Sequence, residues 1–172
     1  PQDIDISTLK AGVKASGDGW DFDGSKITIQ SSFDGSFKGV CNYEVINNGV
    51  IKDGTFSAKI TNNGTITNLI AKSSLVITGN QADKITIDES ITLPKALFDM
   101  SKKISIADGV KVDFNSTGAS VDDIFAKLSM SGTIEIGDKE YNTDKTEHGK
   151  IIPEPQDIDI STLKAGVKAS GD

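Results

Sequence analysis

Residues 45–51 read Val-Ile-Asn-Asn-Gly-Val-Ile, and residues 60–66 read Ile-Thr-Asn-Asn-Gly-Thr-Ile. The same phrase thus returns after fifteen residues. Fifteen further on, Leu75-Val76-Ile77-Thr78-Gly79 keeps the apolar start and the glycine. Gly35 lies fourteen residues before Gly49, and Gly109 lies thirty after Gly79. A short, recurring period of this kind marks stacked units that bury their apolar sides against one another.

The segments between these glycines have strand chemistry. Lys26-Ile27-Thr28-Ile29, Lys84-Ile85-Thr86-Ile87, Lys103-Ile104-Ser105-Ile106, Val110-Lys111-Val112 and Thr133-Ile134-Glu135-Ile136 alternate apolar with polar residues. Ile, Val and Thr suit a pleated, half-buried surface. The Asn-Gly pairs at 48–49 and 63–64 are read as the source of the positive φ that tight turns need. Together these features predict a mainly β fold, a short-rung parallel β-solenoid (β-helix) with one or two short capping helices. The alternative is an antiparallel β-sandwich or meander of hairpins, which uses the same Asn-Gly dipeptides as two-residue turns.

Two segments predict helices. In 93–100, Pro94 stands at a first-turn position, and Leu97 and Met100 are three apart. In 120–128, Ser120 is a good N-cap, and Asp122 and Asp123 complement the helix dipole. Val121, Ile124, Phe125 and Leu128 line one face. This helix is expected to cover an open end or face of the β structure, where strand edges would otherwise stay unpaired.

The ends of the chain are related. Residues 1–18, PQDIDISTLKAGVKASGD, return unchanged at 155–172. Before the second copy stands Gly149-Lys150-Ile151-Ile152-Pro153-Glu154-Pro155, whose alternate prolines bar helix and central strand and stiffen the backbone. The organisation read here is a single repeat module at 1–148, a Pro-containing linker at 149–154, and the start of the next repeat at 155–172. Ile4, Ile6, Leu9 and Val13 are expected to form the first strand or cap of the module. An engineered terminal duplication, in which two copies compete for one place, is the alternative origin of the identity.

Composition narrows the function classes. Net charge is −7, and all eighteen basic residues are lysines. Arginine supplies the bidentate contacts typical of phosphate and guanine recognition. An acidic, arginine-free chain is a poor fit to nucleic acid or an anionic membrane. Cys41 is the only cysteine, so no intrachain disulfide or cysteine-based zinc site is available. It reads as a small buried hydrophobe. His148 is the only histidine and sits beside the linker, away from any rigid scaffold a catalytic base needs. No phosphate-binding glycine loop, Gly-x-Ser-x-Gly elbow or His-Glu-x-x-His occurs. No catalytic residue, metal or cofactor is assigned.

The most distinctive local run is Gly17-Asp18-Gly19-Trp20-Asp21-Phe22-Asp23-Gly24-Ser25-Lys26-Ile27-Thr28-Ile29, which holds the only tryptophan. Asp21-x-Asp23-Gly24 is half of a calcium loop, but Ser32 stands where the closing glutamate belongs, so a plain Asp-Gly turn is the better reading. The run resembles the opening of repeat modules in large secreted or wall-attached proteins of low-GC Gram-positive bacteria. Those modules start with a Gly-Trp-x-aromatic-Asp-Gly turn that feeds a short strand. The Gly54-Thr55-Phe56 to Ile66 stretch is similar to their rungs, and the resemblance spans about residues 13–80. It implies a β-helical or sandwich-like unit given to adhesion, spacing or glycan contact. On that basis the chain is expected to be a non-enzymatic structural or adhesive module of an extracellular, cell-wall-attached surface protein. Its expected partners are neighbouring identical modules and a glycan or host-surface protein, with no nucleic acid and no membrane insertion. A carbohydrate-binding module is the alternative. For it Trp20, Phe22 and Tyr43 are the candidate stacking residues, although Trp20 and Phe22 would equally seal the start of a core.

Overall fold

Three sheets wrap a common core in the computed structural model, which describes residues 2–129, 133–136 and 139–142. His148, the linker at 149–154 and the second 18-residue copy lie outside these residues. The first sheet runs in the order β1 (Gln2–Asp5), β5 (Asp34–Cys41), β7 (Val50–Phe56), β10 (Leu69–Ala71), β12 (Ala82–Ile87), β14 (Ser101–Ile106), with β9 (Thr65–Ile66) also on β7. The second runs β11 (Val76–Gly79), β8 (Lys59–Asn62), β6 (Glu44–Asn47), β4 (Lys26–Ile29), β3 (Trp20–Phe22), β2 (Ala15–Gly17). The third is β13 (Ile91–Thr92), β15 (Lys111–Asp113), β16 (Thr133–Ile136), β17 (Lys139–Asn142). From β4 to β15 the chain passes back and forth between sheets, β9 and β10 alone following one another in the same sheet, and it forms a parallel β-solenoid of about five turns. Only the β2–β3, β3–β4 and β16–β17 pairs are antiparallel among the described strands. The sandwich alternative fails because 48–49 and 63–64 carry the chain from one sheet to another, not back along the same one.

The rungs are less regular than the fifteen-residue phrase implies. Ile27, Val45, Ile60 and Ile77 stand in one buried column, at spacings of 18, 15 and 17 residues. Ile77 aligns with Ile60, and Gly79 with Asn62, so the third match read from sequence is two residues out of register. The longer first spacing has a local cause. Four residues, 30–33, turn the corner from β4 to β5, whereas Asn48 and Gly49 alone turn the next, and β5 is one residue longer than β7, with register shifts between Gly35 and Val40. Gly35 lies within β5 and marks no rung corner, whereas Gly109 lies in the turn that carries the chain from β14 to β15 in the third sheet.

The role assigned to the Asn-Gly glycines also changes. Neither Gly49 nor Gly64 has positive φ; among the described residues the positive-φ glycines are 12, 19, 24, 39, 79, 109 and 118. Space is what demands glycine at these corners. A Cβ on Gly64 would lie 2.2 Å from the Gly49 carbonyl oxygen, and one on Gly49 would lie 2.4 Å from that of Gln30. Stacked corners approach too closely for any side chain.

The asparagines beside them turn inward. Asn47 and Asn62 are fully buried and in register. Asn47 Nδ2 donates to Asn62 Oδ1 at 2.9 Å and to the Thr65 carbonyl at 3.0 Å. Asn62 Nδ2 donates to the Asn80 carbonyl at 3.0 Å, and Gly49 and Gly64 donate their backbone N–H groups to Asn47 Oδ1 and Asn62 Oδ1. A buried amide ladder of this kind is stable only when every member is satisfied, and no described buried side-chain polar atom lacks a partner.

Both predicted helices form. α1 (Lys95–Asp99) buries Leu97 and Phe98, with Pro94 one position earlier than read, at the N-cap. α2 (Val121–Lys127) is capped by Ser120, whose side chain accepts from the Asp123 N–H, and it buries Ile124 and Phe125. The residues that follow α2 close the last edge of the first sheet. Leu128 bridges Ile104 of β14, and the Ser129 N–H donates to the Ile104 carbonyl at 3.0 Å. Lys127 sits 4.1 Å from the Phe98 ring centroid and donates to the Phe98 carbonyl, tying α2 to α1. The expectation that a helix covers the end of the β structure is met at this end.

Candidate functional site

The other end of the solenoid carries the aromatic motif. In β3, Trp20 and Phe22 point to one side and Asp21 to the other, as period-two geometry requires. Phe22 is 2% exposed, and its ring lies 4.8 Å from that of Tyr43, tilted by 57°. It extends the Ile27 column by pairing with Ile27 across the β3–β4 hairpin. Trp20 and Tyr43 are partly buried against the same core. The indole lies over Gly17, its register partner in β2; a Cβ there would fall 2.3 Å from Nε1. The structure thus brings Phe22 and Tyr43 into contact and places Trp20 at the adjoining hairpin, covering a glycine.

A surface hollow of about 410 Å³ opens beside this hairpin, lined by Lys14, Ala15, Ser16, Asp21, Phe22 and Asp23. Its carboxylates are already engaged. Asp21 Oδ2 accepts from Gln30 Nε2 at 2.8 Å. Asp23 Oδ1 accepts the backbone N–H groups of Ser25 (2.9 Å) and Lys26 (2.7 Å) and the Ser25 hydroxyl. Those bonds, the Ser25 N–H first, hold the Asp23 carboxyl below its ordinary value of 3.8. Asp23 is therefore committed to the turn, consistent with the Asp-Gly turn reading.

Sequence reasoning missed the seat that holds residues 2–18. β1 pairs parallel with β5 in the register Gln2–Gly35, Asp3–Ser36, Ile4–Phe37 and Asp5–Lys38. Ile4 and Leu9 are buried in the core, as expected, whereas Val13 is 55% exposed and belongs to no strand. Gln2 bonds to both sides: Oε1 accepts the Asp34 N–H at 2.7 Å, and Nε2 donates to the Asp18 carbonyl at 3.0 Å. The Gly12 N–H donates to the Gly24 carbonyl at 2.8 Å. Gly35 leaves room for this strand, since a Cβ on it would lie 1.5 Å from the Gln2 carbonyl oxygen. The available signal was Gly35 itself, an inward position between Phe33 and Phe37 where a strand glycine marks close backbone approach.

Cys41 is buried, and burial pushes its thiol up to about 11. At neutral pH it is a thiol, which fits its reading as a small hydrophobe. Among the described residues no group of three or more His, Cys, Asp or Glu side chains could hold a metal ion, and no helix is long and apolar enough to cross a membrane. No protein-family model, curated protein or solved structure matches the chain.

Proposed function

We propose that this chain is a non-enzymatic module of a repetitive extracellular bacterial surface protein, a spacer or binding-face unit whose neighbour begins at residue 155. The observation that carries the reading is the identity of 1–18 and 155–172. The first copy supplies the strand that opens the solenoid, so the second stands where another solenoid would open. Pairs that join successive turns also suit a unit selected for length. Lys102 meets Asp83 at 3.3 Å, Lys52 meets Asp34 at 3.6 Å, and Lys72 meets Asp88 and Glu89, each across neighbouring rungs. In an array, many weak contacts add through effective concentration. Sequencing the gene across both flanks tests this. Further 154-residue units beyond 172, with an export signal and a wall anchor, are expected. A gene with one copy of 1–154 refutes it and leaves the engineered duplication.

A carbohydrate-binding module is the second reading, favoured by the hollow beside Phe22 and the partly exposed Trp20. A glycan array probed with the native chain and with Trp20→Ala decides it. Binding lost in the variant supports stacking on the indole, and unchanged or absent binding removes the reading.

A further inference from the structure

We propose that the seat of residues 2–17 is a self-recognition site, and that its second ligand is the 155–172 segment of another copy of this chain. Every contact in that seat is made by a residue that the second copy repeats. Ile158 and Leu163 correspond to the buried Ile4 and Leu9, Gln156 to the two-sided Gln2, and Gly166 to the Gly12 that bonds Gly24. Ala169, Ser170 and Gly171 repeat the residues of β2 that pair with β3. An identical segment has identical intrinsic affinity for the seat. The mode is strand addition, with backbone pairing to β5 for affinity and the Ile and Leu pockets for selectivity. The seat is selective in shape too, because Gly35 admits the incoming backbone only by lacking a side chain.

The occupant comes from another chain because of reach. β1 stands five strand steps from β14 along the first sheet, and β17 lies two further steps beyond β15. Seven steps amount to roughly 33 Å. Residues 143–154 link β17 to the second copy; such a segment spans at most about 40 Å when fully stretched and about 19 Å on average when flexible. Capture within one chain therefore demands a nearly straight connector, which lowers the effective concentration steeply. A neighbour's segment has no such limit. The resident first copy is joined directly to Gly19, so it holds its own seat until it is weakened or displaced. Exchange then joins one molecule's second copy to the next molecule's seat. That contact is heterologous, so it closes into a ring or propagates as an open chain. The inference holds whether the duplication is natural or engineered.

The test uses four full-length chains: the native one, Ile4→Asp/Leu9→Asp, Ile158→Asp/Leu163→Asp, and all four substitutions together. Melting temperature and sedimentation velocity are measured at micromolar and at submillimolar concentration. The native chain and the Ile158→Asp/Leu163→Asp chain should melt alike and stay monomeric. The Ile4→Asp/Leu9→Asp chain should associate as concentration rises, as a closed dimer or larger species, and melt within a few degrees of native when associated. The fourfold variant should stay monomeric and melt roughly 10 °C lower. A free peptide with the 155–172 sequence, in excess, should restore most of that loss. An Ile4→Asp/Leu9→Asp chain that stays monomeric, or melts as low as the fourfold variant at every concentration, overturns the proposal. So does a peptide that fails to raise the fourfold variant's melting temperature.

Discussion

Asn62 and Asn63 are neighbours of the same type, and the fold predicts very different costs for replacing them by alanine. Asn62 is fully buried; its amide accepts from Asn47 Nδ2 at 2.9 Å and from the Gly64 N–H at 3.2 Å, and donates to the Asn80 carbonyl at 3.0 Å. Asn62→Ala removes three hydrogen bonds and leaves two backbone groups short of a partner. Asn47 keeps its bond to the Thr65 carbonyl. At about 1 kcal/mol per net bond, with a further 1–3 kcal/mol for buried groups left unpaired, the loss is roughly 3–5 kcal/mol. For a folded unit near this size that lowers the melting temperature by roughly 8–15 °C. Asn63 is exposed and makes one side-chain bond, from its Nδ2 to Asn48 Oδ1 at 3.0 Å. Asn63→Ala should cost under about 1 kcal/mol. Thermal melts followed by circular dichroism, with urea titrations in parallel, measure both. The Asn47→Ala/Asn62→Ala pair should be non-additive by about 1 kcal/mol, because the two share one bond. If Asn62→Ala and Asn63→Ala fall within 1 °C of each other, the buried amide ladder contributes nothing and the reasoning is wrong.

Gly64→Ala should destabilise by several kcal/mol, because the corner has no room for a Cβ. Gly109→Ala, in open space at φ +75°, should cost only the left-handed backbone penalty of about 1–2 kcal/mol; equal melting temperatures for the two would refute the distinction between space and φ. Cys41 should resist a thiol-modifying reagent in the native protein at pH 8 and react fully in denaturant, and fast native labelling would contradict its burial. Asp5 and Asp23 have folded pKa values below 3.8, held there chiefly by bonds from Ser7 and Ser25 respectively. Their contribution is complete above the unfolded pKa and is lost as pH falls through the lower folded value. An Asp23→Ala chain should therefore lose stability less steeply than native between about pH 4 and 2, as read from pH-resolved melts.

The sequence carried the fold where inward residues repeat in kind. The Ile27, Val45, Ile60 and Ile77 column and the Asn-Asn-Gly corners repeat because stacked rungs impose the same environment at the same place. Thr133–Ile136 and Ser120 were legible for local reasons, namely two-residue alternation and capping chemistry. Register was not legible where corner length changes. The extra residues before Phe33 and the shift at Gly79 alter the spacing without altering the pattern of residue types. The glycine at a corner was visible, but its reason was not, because steric closeness between rungs and positive φ leave the same letter. In the candidate site, the aromatic motif announced that Trp20 and Phe22 belong together. Exposure decides what each can do, and Phe22 proves to be core. The seat on β5 was hidden because its binding half is mostly backbone, which leaves only Gly35 as a trace.

The two ends of the solenoid differ, and the difference makes a last prediction. At the far end, β14 is covered by α2 and the segment after it, through the Ile104–Leu128 bridge and the Ser129 bond. The cover is held by Ile124, which is fully buried, and Phe125. Ile124→Ala should cost about 2–5 kcal/mol. Among the described residues a seven-residue helix and its short extension hold this edge, so the loss should fall on local detachment of the cap before global unfolding. Detachment bares one side of β14 around Ile104, beyond which no described strand stands in the first sheet, and such an edge pairs with other chains. Light scattering during a slow heating ramp should therefore rise below the melting transition for Ile124→Ala. It should not do so for Val121→Ala, whose side chain is 37% exposed at the first position of the same helix. Scattering that begins only at or above the melting transition in Ile124→Ala would show that α2 packs against β14 without guarding its edge.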